Sequence, residues 1–361
     1  MIRILYDHQK FSTQLYGGIS RYFANLIQKI KTLPDFEYQL GVIYSNNHYI
    51  KELQTTQLIG RLLKNPNYAY RLNKYYCEYL LSKHQFDIFH PTYYDPYFID
   101  KLKKPLVITI HDMTYERLPE YFWAKDPLTF HKRLNIERAD KIIAISETTK
   151  RDLLKYNNVD EKKIEVVYHG IDLTAPFNTT TVTNLPENYL LFVGDRSGYK
   201  NFYLFLNAFK KINDKFPEIK LVVTGGGKLD IAETEYIKML GLNEQISHKN
   251  VSDTELNYVY ANALAFVYPS LHEGFGLPIL ESFTASCPML LSDTECFREI
   301  AEDAAIYFDS KSLNDLVNKL DNIISDGALR HDLINKGLSR LKDFSLEKSL
   351  KETLDIYKQL A

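Results

Sequence analysis

The sequence predicts an α/β protein made of two doubly wound, parallel-sheet domains. Short runs rich in Ile and Val alternate with longer runs of helical spacing, the pattern of parallel strands covered by helices on both faces. The alternation lapses over residues 173–187 and then restarts. The length, 361 residues, suits two domains at about 100–200 residues each.

In the first half, "IRILYD" reads as a strand, and "ISRYFANLIQKIK" as a helix with Ile19, Phe23, Leu26, Ile27 and Ile30 on one face. "YQLGVIY", "DIFHP", "PLVITIHD", "KIIAIS" and "IEVVYHG" read as further strands, with helices over 70–83, 126–138 and 147–155 among them. The segment 173–187 is rich in Thr and Asn and lacks periodicity, so it reads as a linker. Beyond it come the strands "LLFVGD", "IKLVVTG", "ISHKNV", "LAFVYPS" and "PMLLSD". The helices "NFYLFLNAFKKIND", "DIAETEYIKMLG", "SDTELNYVYANA" and "GLPILESFTAS" lie between them, and the chain closes in helices. The expected division is a first domain over 1–172, a linker over 173–187, a second domain over 188–343, and a terminal helix over 344–361 able to cross back to the first domain.

Residues 45–80 are basic and tyrosine-rich. They fit either an insert facing an acceptor or membrane surface, or an ordinary amphipathic helix with tyrosines partly buried; the second, plainer reading is preferred.

Composition narrows the function. The chain is 45% hydrophobic and 25% charged, globular values that exclude a disordered protein. A net charge of −2 gives no general attraction to nucleic acid, so none is expected as a partner. Residues 1–175 hold 25 Lys and Arg against 20 Asp and Glu, and the remainder 19 against 26. The basic first half suits peripheral contact with an anionic membrane or a phosphate-bearing partner, with chance surface composition the equal alternative. The three cysteines, Cys77, Cys287 and Cys296, have no metal or disulfide spacing. No signal peptide or membrane span is read, so a cytoplasmic location is expected, with peripheral membrane contact through the first domain.

Ligands of open parallel sheets bind beyond the carboxyl ends of the strands, and the informative residues follow strands. Gly17 and Gly18 in "YGGIS" open a helix, where free N–H groups can meet an anion. His111, with Asp112, ends "PLVITIHD" and suits polar work in a cleft. Arg196 and Lys200 follow "LLFVGD" on a glycine-bearing loop and could clamp a diphosphate, Arg through two oxygens and Lys as a point charge. In "HEGFGLPILE" the backbone of Gly274, Phe275, Gly276 and Leu277 leads into a helix whose first turn holds Pro278. Those N–H groups can face an anion. Glu281, one turn into the helix, can accept from two ribose hydroxyls, and Glu273 from a second sugar.

"HEGFGLPILE" resembles the E-x7-E signature of retaining glycosyltransferases, family 4 above all. "YGGISRY", "HDMTYERLPEYF", "ADKIIAISETTKRDL", "FVGDRSGYKN" and "VSDTELNYVYANA" extend the likeness over most of the chain. The resemblance implies the GT-B architecture, two facing Rossmann-like domains with an interdomain cleft. It implies that His111 and Glu273 contact the transferred sugar, and that Arg196, Lys200, Gly17, Gly18 and residues 274–277 meet the donor diphosphate. Glu281 would hold the ribose and the backbone near Val251 the base. The implied reaction retains anomeric configuration by front-face attack. The implied partners are a nucleotide-sugar donor, with a lean towards GDP-mannose, and a glycan or lipid-linked acceptor in surface-polysaccharide assembly. No cofactor is expected beyond the nucleotide-sugar co-substrate, and no metal, because the chain has no Asp-x-Asp and two cations can replace one. Arg196 stands early in its loop, a departure from the family pattern. The competing readings are a nucleotide-sugar 2-epimerase and a non-catalytic nucleotide-sugar-binding subunit.

Overall fold

The structure, a computed structural model, describes residues 1–53 and 66–361. Part of the tyrosine-rich stretch 45–80 therefore lies outside the described residues. The chain forms two compact units, Met1–His169 with Leu346–Ala361, and Gly170–Ser345. The irregular segment 173–187 belongs to the second unit.

The first unit has six parallel strands: β1 (Ile2–Tyr6), β2 (Phe36–Leu40), β3 (Ile88–His90), β4 (Val107–Ile110), β5 (Lys141–Ala144) and β6 (Ile164–Val166). They pair as β2-β1-β3 and β4-β5-β6, and a parallel bridge from Phe89 to Leu106 joins the two sets. The chain thus reverses direction of build between β1 and β3. Around the strands lie α1 (Gln9–Thr13), α2 (Gly18–Ile30), α3 (Pro66–Lys83), α4 (Thr114–Arg117), α5 (Leu128–Arg138) and α6 (Glu147–Tyr156). α2 buries Phe23, Leu26, Ile27 and Ile30 at helical spacing, each worth about 1.5–3 kcal/mol when withdrawn from water. The strand expected over "YQLGVIY" lies earlier, at Phe36–Leu40. The amides of Ile43 and Tyr44 donate instead to Asn73 Oδ1 on α3, at 2.8 and 3.1 Å, so a side chain ends the ladder there.

The second unit has one six-stranded parallel sheet: β7 (Tyr189–Val193), β8 (Lys220–Thr224), β9 (Ile246–Lys249), β10 (Ala265–Tyr268), β11 (Met289–Ser292) and β12 (Ile306–Phe308), in the order β12-β11-β10-β7-β8-β9. Its direction of build reverses between β7 and β10. The helices are α7 (Phe202–Lys215), α8 (Ile231–Met239), α9 (Asp253–Ala261), α10 (Leu277–Thr284), α11 (Glu295–Ala301), α12 (Leu313–Ser325) and α13 (Gly327–Arg340). α7 packs Phe202, Phe205, Leu206, Phe209 and Ile212 into the core with Leu190, Val223 and Val267 from the strands.

The final helix, α14 (Leu346–Leu360), belongs to the first unit. Leu350, Leu354, Ile356 and Tyr357 join the core formed by β1 and α2. The Tyr357 hydroxyl lies 3.0 Å from that of Tyr6 and 2.6 Å from His90 Nδ1, and His90 Nε2 lies 2.9 Å from Thr109 Oγ1. One buried polar chain therefore ties α14 to β1, β3 and β4.

Candidate functional site

In the second unit the strand order reverses between β7 and β10, and the region beyond their carboxyl ends is the usual ligand position in such sheets. The loops leaving these strands hold Lys200 and Glu273. Lys200 Nζ donates to Glu273 Oε1 at 2.6 Å, and the Leu271 amide donates to the Tyr199 carbonyl at 2.8 Å. The two charged side chains are only 11% and 14% exposed. Burial alone lowers the pKa of the Lys200 ammonium, but the Glu273 carboxylate more than offsets it and holds it well above its ordinary value. Tyr268, at the end of β10, is fully buried beside them. Burial raises its phenol well above the usual range, and the charge of Glu273 raises it further.

Gly276 takes a left-handed φ of 94° as the N-cap of α10, with Pro278 in the first turn. A Cβ there would come within 3.1 Å of Ile279 Cδ1 and 3.3 Å of Phe297 Cε1, so both conformation and space call for glycine. Gly274 and Phe275 are buried beside it, and Leu277 opens the helix half-buried. Glu281 lies one turn into α10 and half-buried. It faces Tyr260 of α9, whose phenol is pushed well up first by burial and then by the Glu281 charge. Val251, half-buried, sits between β9 and the N-cap of α9, Ser252. The structure thus groups Lys200 with Glu273 and Tyr268, and Glu281 with α9.

Arg196 is placed elsewhere. Its Nε donates to Glu233 Oε1 at 2.6 Å, its Nη1 to the Gly225 carbonyl at 2.8 Å, and its Nη2 to the carbonyls of Gly227 and Lys228 at 3.1 Å. The pair with Glu233 is 4% and 6% exposed. The expected two-cation clamp is therefore not the arrangement in this structure. Lys200 turns to the β7–β10 mouth, while Arg196 fastens the glycine loop that follows β8. That loop carries left-handed φ values of 83°, 65° and 76° at Gly225, Gly226 and Gly227. A Cβ on Gly226 would lie 2.7 Å from the Asp195 Cα, so the two loops touch backbone to backbone.

In the first unit Gly17 is the N-cap of α2 and Gly18 its first residue. The Gln14 side chain covers this end, its Oε1 accepting from the Ser20 amide at 3.3 Å. His111 ends β4, only 8% exposed. Its amide donates to the Tyr94 hydroxyl at 3.0 Å, and its ring stacks on His169 with centroids 6.2 Å apart at 18°. Burial holds the His111 pKa well below the ordinary range, and His169 lowers it further. His111 is therefore a neutral hydrogen-bonding group, not a cation.

Two neighbours escaped the sequence reading. Asp7, fully buried after β1, accepts at Oδ1 from the Thr92 amide at 2.8 Å and the Thr92 hydroxyl at 2.6 Å, and at Oδ2 from Gln9 Nε2 at 2.7 Å. It pins the reversal between β1 and β3. Lys10 follows, with Nζ 3.4 Å from the Tyr93 ring centroid; burial lowers its pKa to about 8, against the opposing pull of Asp112. A polar residue directly after a strand was the available signal for Asp7, whereas Lys10 lies inside α1 and had no such signal.

Among the described residues no cluster of His, Cys, Asp and Glu has the grouping of a metal site, and no helix is long and apolar enough to cross a membrane. The three cysteines are free and buried.

Two Rossmann-like units of this topology, with polar loops at the strand ends, define the GT-B-like α/β class. The whole chain superposes on Anabaena Alr3699/HepE, solved with UDP-glucose, with a TM-score of 0.76 at 14% identity and full coverage of both chains. It also superposes on sucrose-phosphate synthase from Thermosynechococcus elongatus, with a TM-score of 0.76 at 17% identity, covering 100% of this chain and 99% of that one. Residues 16–175 match the family model "Glycosyltransferase Family 4", and residues 179–340 match "Glycosyl transferases group 1". The chain is a glycosyltransferase, its first part a family 4 domain and its second a group 1 domain. O-antigen chain mannosyltransferase RfbU of Salmonella typhimurium is 29% identical over 220 residues, 60% of this chain and 61% of RfbU. O-antigen chain mannosyltransferase B of Escherichia coli is 24% identical over 385 residues, 95% of this chain and 96% of that protein. The match thus spans about three-fifths of the first relative and nearly all of the second. These similarities favour a transferase over the isomerase and non-catalytic readings.

Proposed function

We propose that this glycosyltransferase moves a hexose, mannose from GDP-mannose, to a glycan or lipid-linked glycan acceptor in surface-polysaccharide assembly, retaining configuration and needing no metal. The observation that carries the reading is the Lys200–Glu273 pair, 2.6 Å long, at the β7–β10 reversal, with Glu281 one turn into the helix that follows β10. The mannosyltransferase relatives support the choice of sugar.

In this reading Lys200 and the amides of residues 274–277 hold the donor diphosphate. They stabilise the negative charge that grows as the bond from the sugar C1 to the phosphate oxygen breaks. The acceptor oxygen forms the new bond to C1, and its proton leaves with the departing phosphate. Glu273 accepts from the sugar hydroxyls, Glu281 from the ribose, and the backbone at Val251 meets the base. His111, neutral, hydrogen-bonds the sugar. Arg196 acts one step removed, by fixing the glycine loop after β8. Gly17 and Gly18, at the start of α2, meet the diphosphate and acceptor once the Gln14 side chain that covers this end moves aside. The enzyme works in the cytoplasm, in peripheral contact with the membrane through its first domain.

The test is a metal-free thermal-shift and turnover screen of GDP-mannose against UDP-glucose and other nucleotide sugars, because a ligand specific for the folded state raises the melting temperature. GDP-mannose should give the largest shift and the only turnover. A larger shift and turnover with UDP-glucose would replace the donor. A product of inverted configuration by NMR would remove the retaining mechanism, and activity that needs added magnesium would remove metal independence.

A further inference from the structure

We propose that a groove beside α4 is a carbohydrate subsite, one that holds an uncharged oligosaccharide segment of the acceptor away from its reacting end. The proposal rests on the glycosyltransferase reading above. The groove encloses about 450 Å³ and is lined by Tyr115, Glu116, Phe122, Trp123, Asp126 and Tyr156 among others. That lies within the roughly 300–1,000 Å³ of small-molecule sites.

The lining has the two chemistries a sugar presents. A pyranose has a face of C–H groups that packs on aromatic rings, and a rim of hydroxyls that donate to carboxylates. Trp123 is 70% exposed, leaving an indole face in water that gains by being covered. Tyr115 and Phe122 stack with centroids 3.7 Å apart at 18°, which fixes a second aromatic wall. Asp126 accepts from the Tyr115 hydroxyl at 3.3 Å and from the Leu128 amide at 2.9 Å. A carboxylate has about four acceptor positions, so about two remain for ligand hydroxyls.

The charges select against other occupants. The lining holds two carboxylates and no Lys or Arg. Two nearby cations are committed to carboxylates: Arg117 Nη1 donates to Asp152 Oδ1 at 3.0 Å, and Lys132 Nζ to Glu116 Oε2 at 2.9 Å and the Asp112 carbonyl at 3.0 Å. These pairs anchor α4 and set the groove walls. Lys125 is exposed at the rim, and Lys155 Nζ lies 5.1 Å from the Tyr156 ring centroid. A phosphate or anionic lipid headgroup within the groove would meet the Asp126 carboxylate with no Lys or Arg in the lining to hold it. An uncharged, hydroxyl-rich chain meets no such obstacle. The groove follows directly from β4, whose end carries His111.

Trp123 is the sole tryptophan of the chain, so its fluorescence reads this groove. Titration with α-mannotriose and, separately, with maltotriose should give a saturable change with at least one. Vesicles of phosphatidylglycerol and phosphatidylethanolamine should give none. By calorimetry, Trp123→Ala and Asp126→Asn should each weaken trisaccharide binding about tenfold, or about 1.4 kcal/mol, with the melting temperature unchanged. No saturable change with either sugar, wild-type binding by both variants, or a response to vesicles alone would each overturn the proposal. Nucleotide-induced thermal shifts on the same samples separate the two claims. A nucleotide shift without sugar binding sinks the groove alone, and sugar binding without any nucleotide shift sinks the transferase reading alone.

Discussion

Lys200 Nζ and Glu273 Oε1 meet at 2.6 Å although 73 positions separate them in sequence. Each belongs to a different loop at the reversal of the second sheet, so the pair both closes the mouth of that sheet and stores a cation there. Removing one partner leaves the other charge nearly buried, which costs about 3–5 kcal/mol. Lys200→Met should therefore lower the unfolding free energy in urea by roughly that amount and weaken nucleotide-sugar binding. The double variant Lys200→Met, Glu273→Gln should recover most of the stability without the binding. If both stability and binding return together, Lys200 is structural only.

Arg196→Gln should loosen the loop at 225–228 by withdrawing its carbonyl anchor. Gly226→Ala should do the same by another route, since its Cβ would lie 2.7 Å from the Asp195 Cα at a φ of +65°. Backbone strain of this kind costs about 1–3 kcal/mol. Hydrogen exchange at residues 225–228 should rise in both variants, and unchanged protection would refute the fastening role.

Glu281 offers a test by ligand chemistry. A hydrogen bond to a charged group is worth about 1.5–3 kcal/mol, so wild-type enzyme should bind GDP at least about tenfold more tightly than 2′-deoxy- or 3′-deoxy-GDP. Glu281→Gln should shrink that ratio while keeping the affinity for the deoxy analogue. An undiminished ratio would move the ribose site elsewhere.

Acid should destabilise the first unit through its histidines. Burial lowers His90 to about 3, and burial with the nearby Arg21 lowers His169 to about 4; His111 is lowered as well. In the unfolded chain each takes up its proton near pH 6.5. Between these values the unfolded state binds more protons, so stability falls as pH drops. Each of His90 and His169 should remove about 2 kcal/mol between pH 7.5 and 5. Urea titrations across that range check this, and His90→Gln should flatten the slope. Groups facing the cluster, Tyr6, Tyr22, Tyr357, Lys10 and Asp112, include one carboxylate that works against the trend.

Much of the frame was legible because it is local. Strand runs, the glycine turn at Gly276 and the helix start at Pro278 depend on neighbours in sequence. The end of β2 was not, because it is set by Asn73, 30 positions from Ile43. Nor was the fate of Arg196, which depends on Glu233, 37 positions away. Composition placed a cation in that loop, but only tertiary structure decides which partner claims it. The tyrosines at 260 and 268 were invisible as site residues for the same reason, since each reads as an ordinary apolar position until the carboxylates beside it are placed.

The α14 helix also governs the order in which the molecule can be finished. Tyr357 closes the polar chain through His90 to Thr109, so of these two units the one whose synthesis starts earlier is completed later. A ribosome must pass the entire second unit before that buried histidine finds its hydroxyl. Until then the nascent first domain waits with an open seam, and a fragment cut at residue 169 would carry that seam permanently.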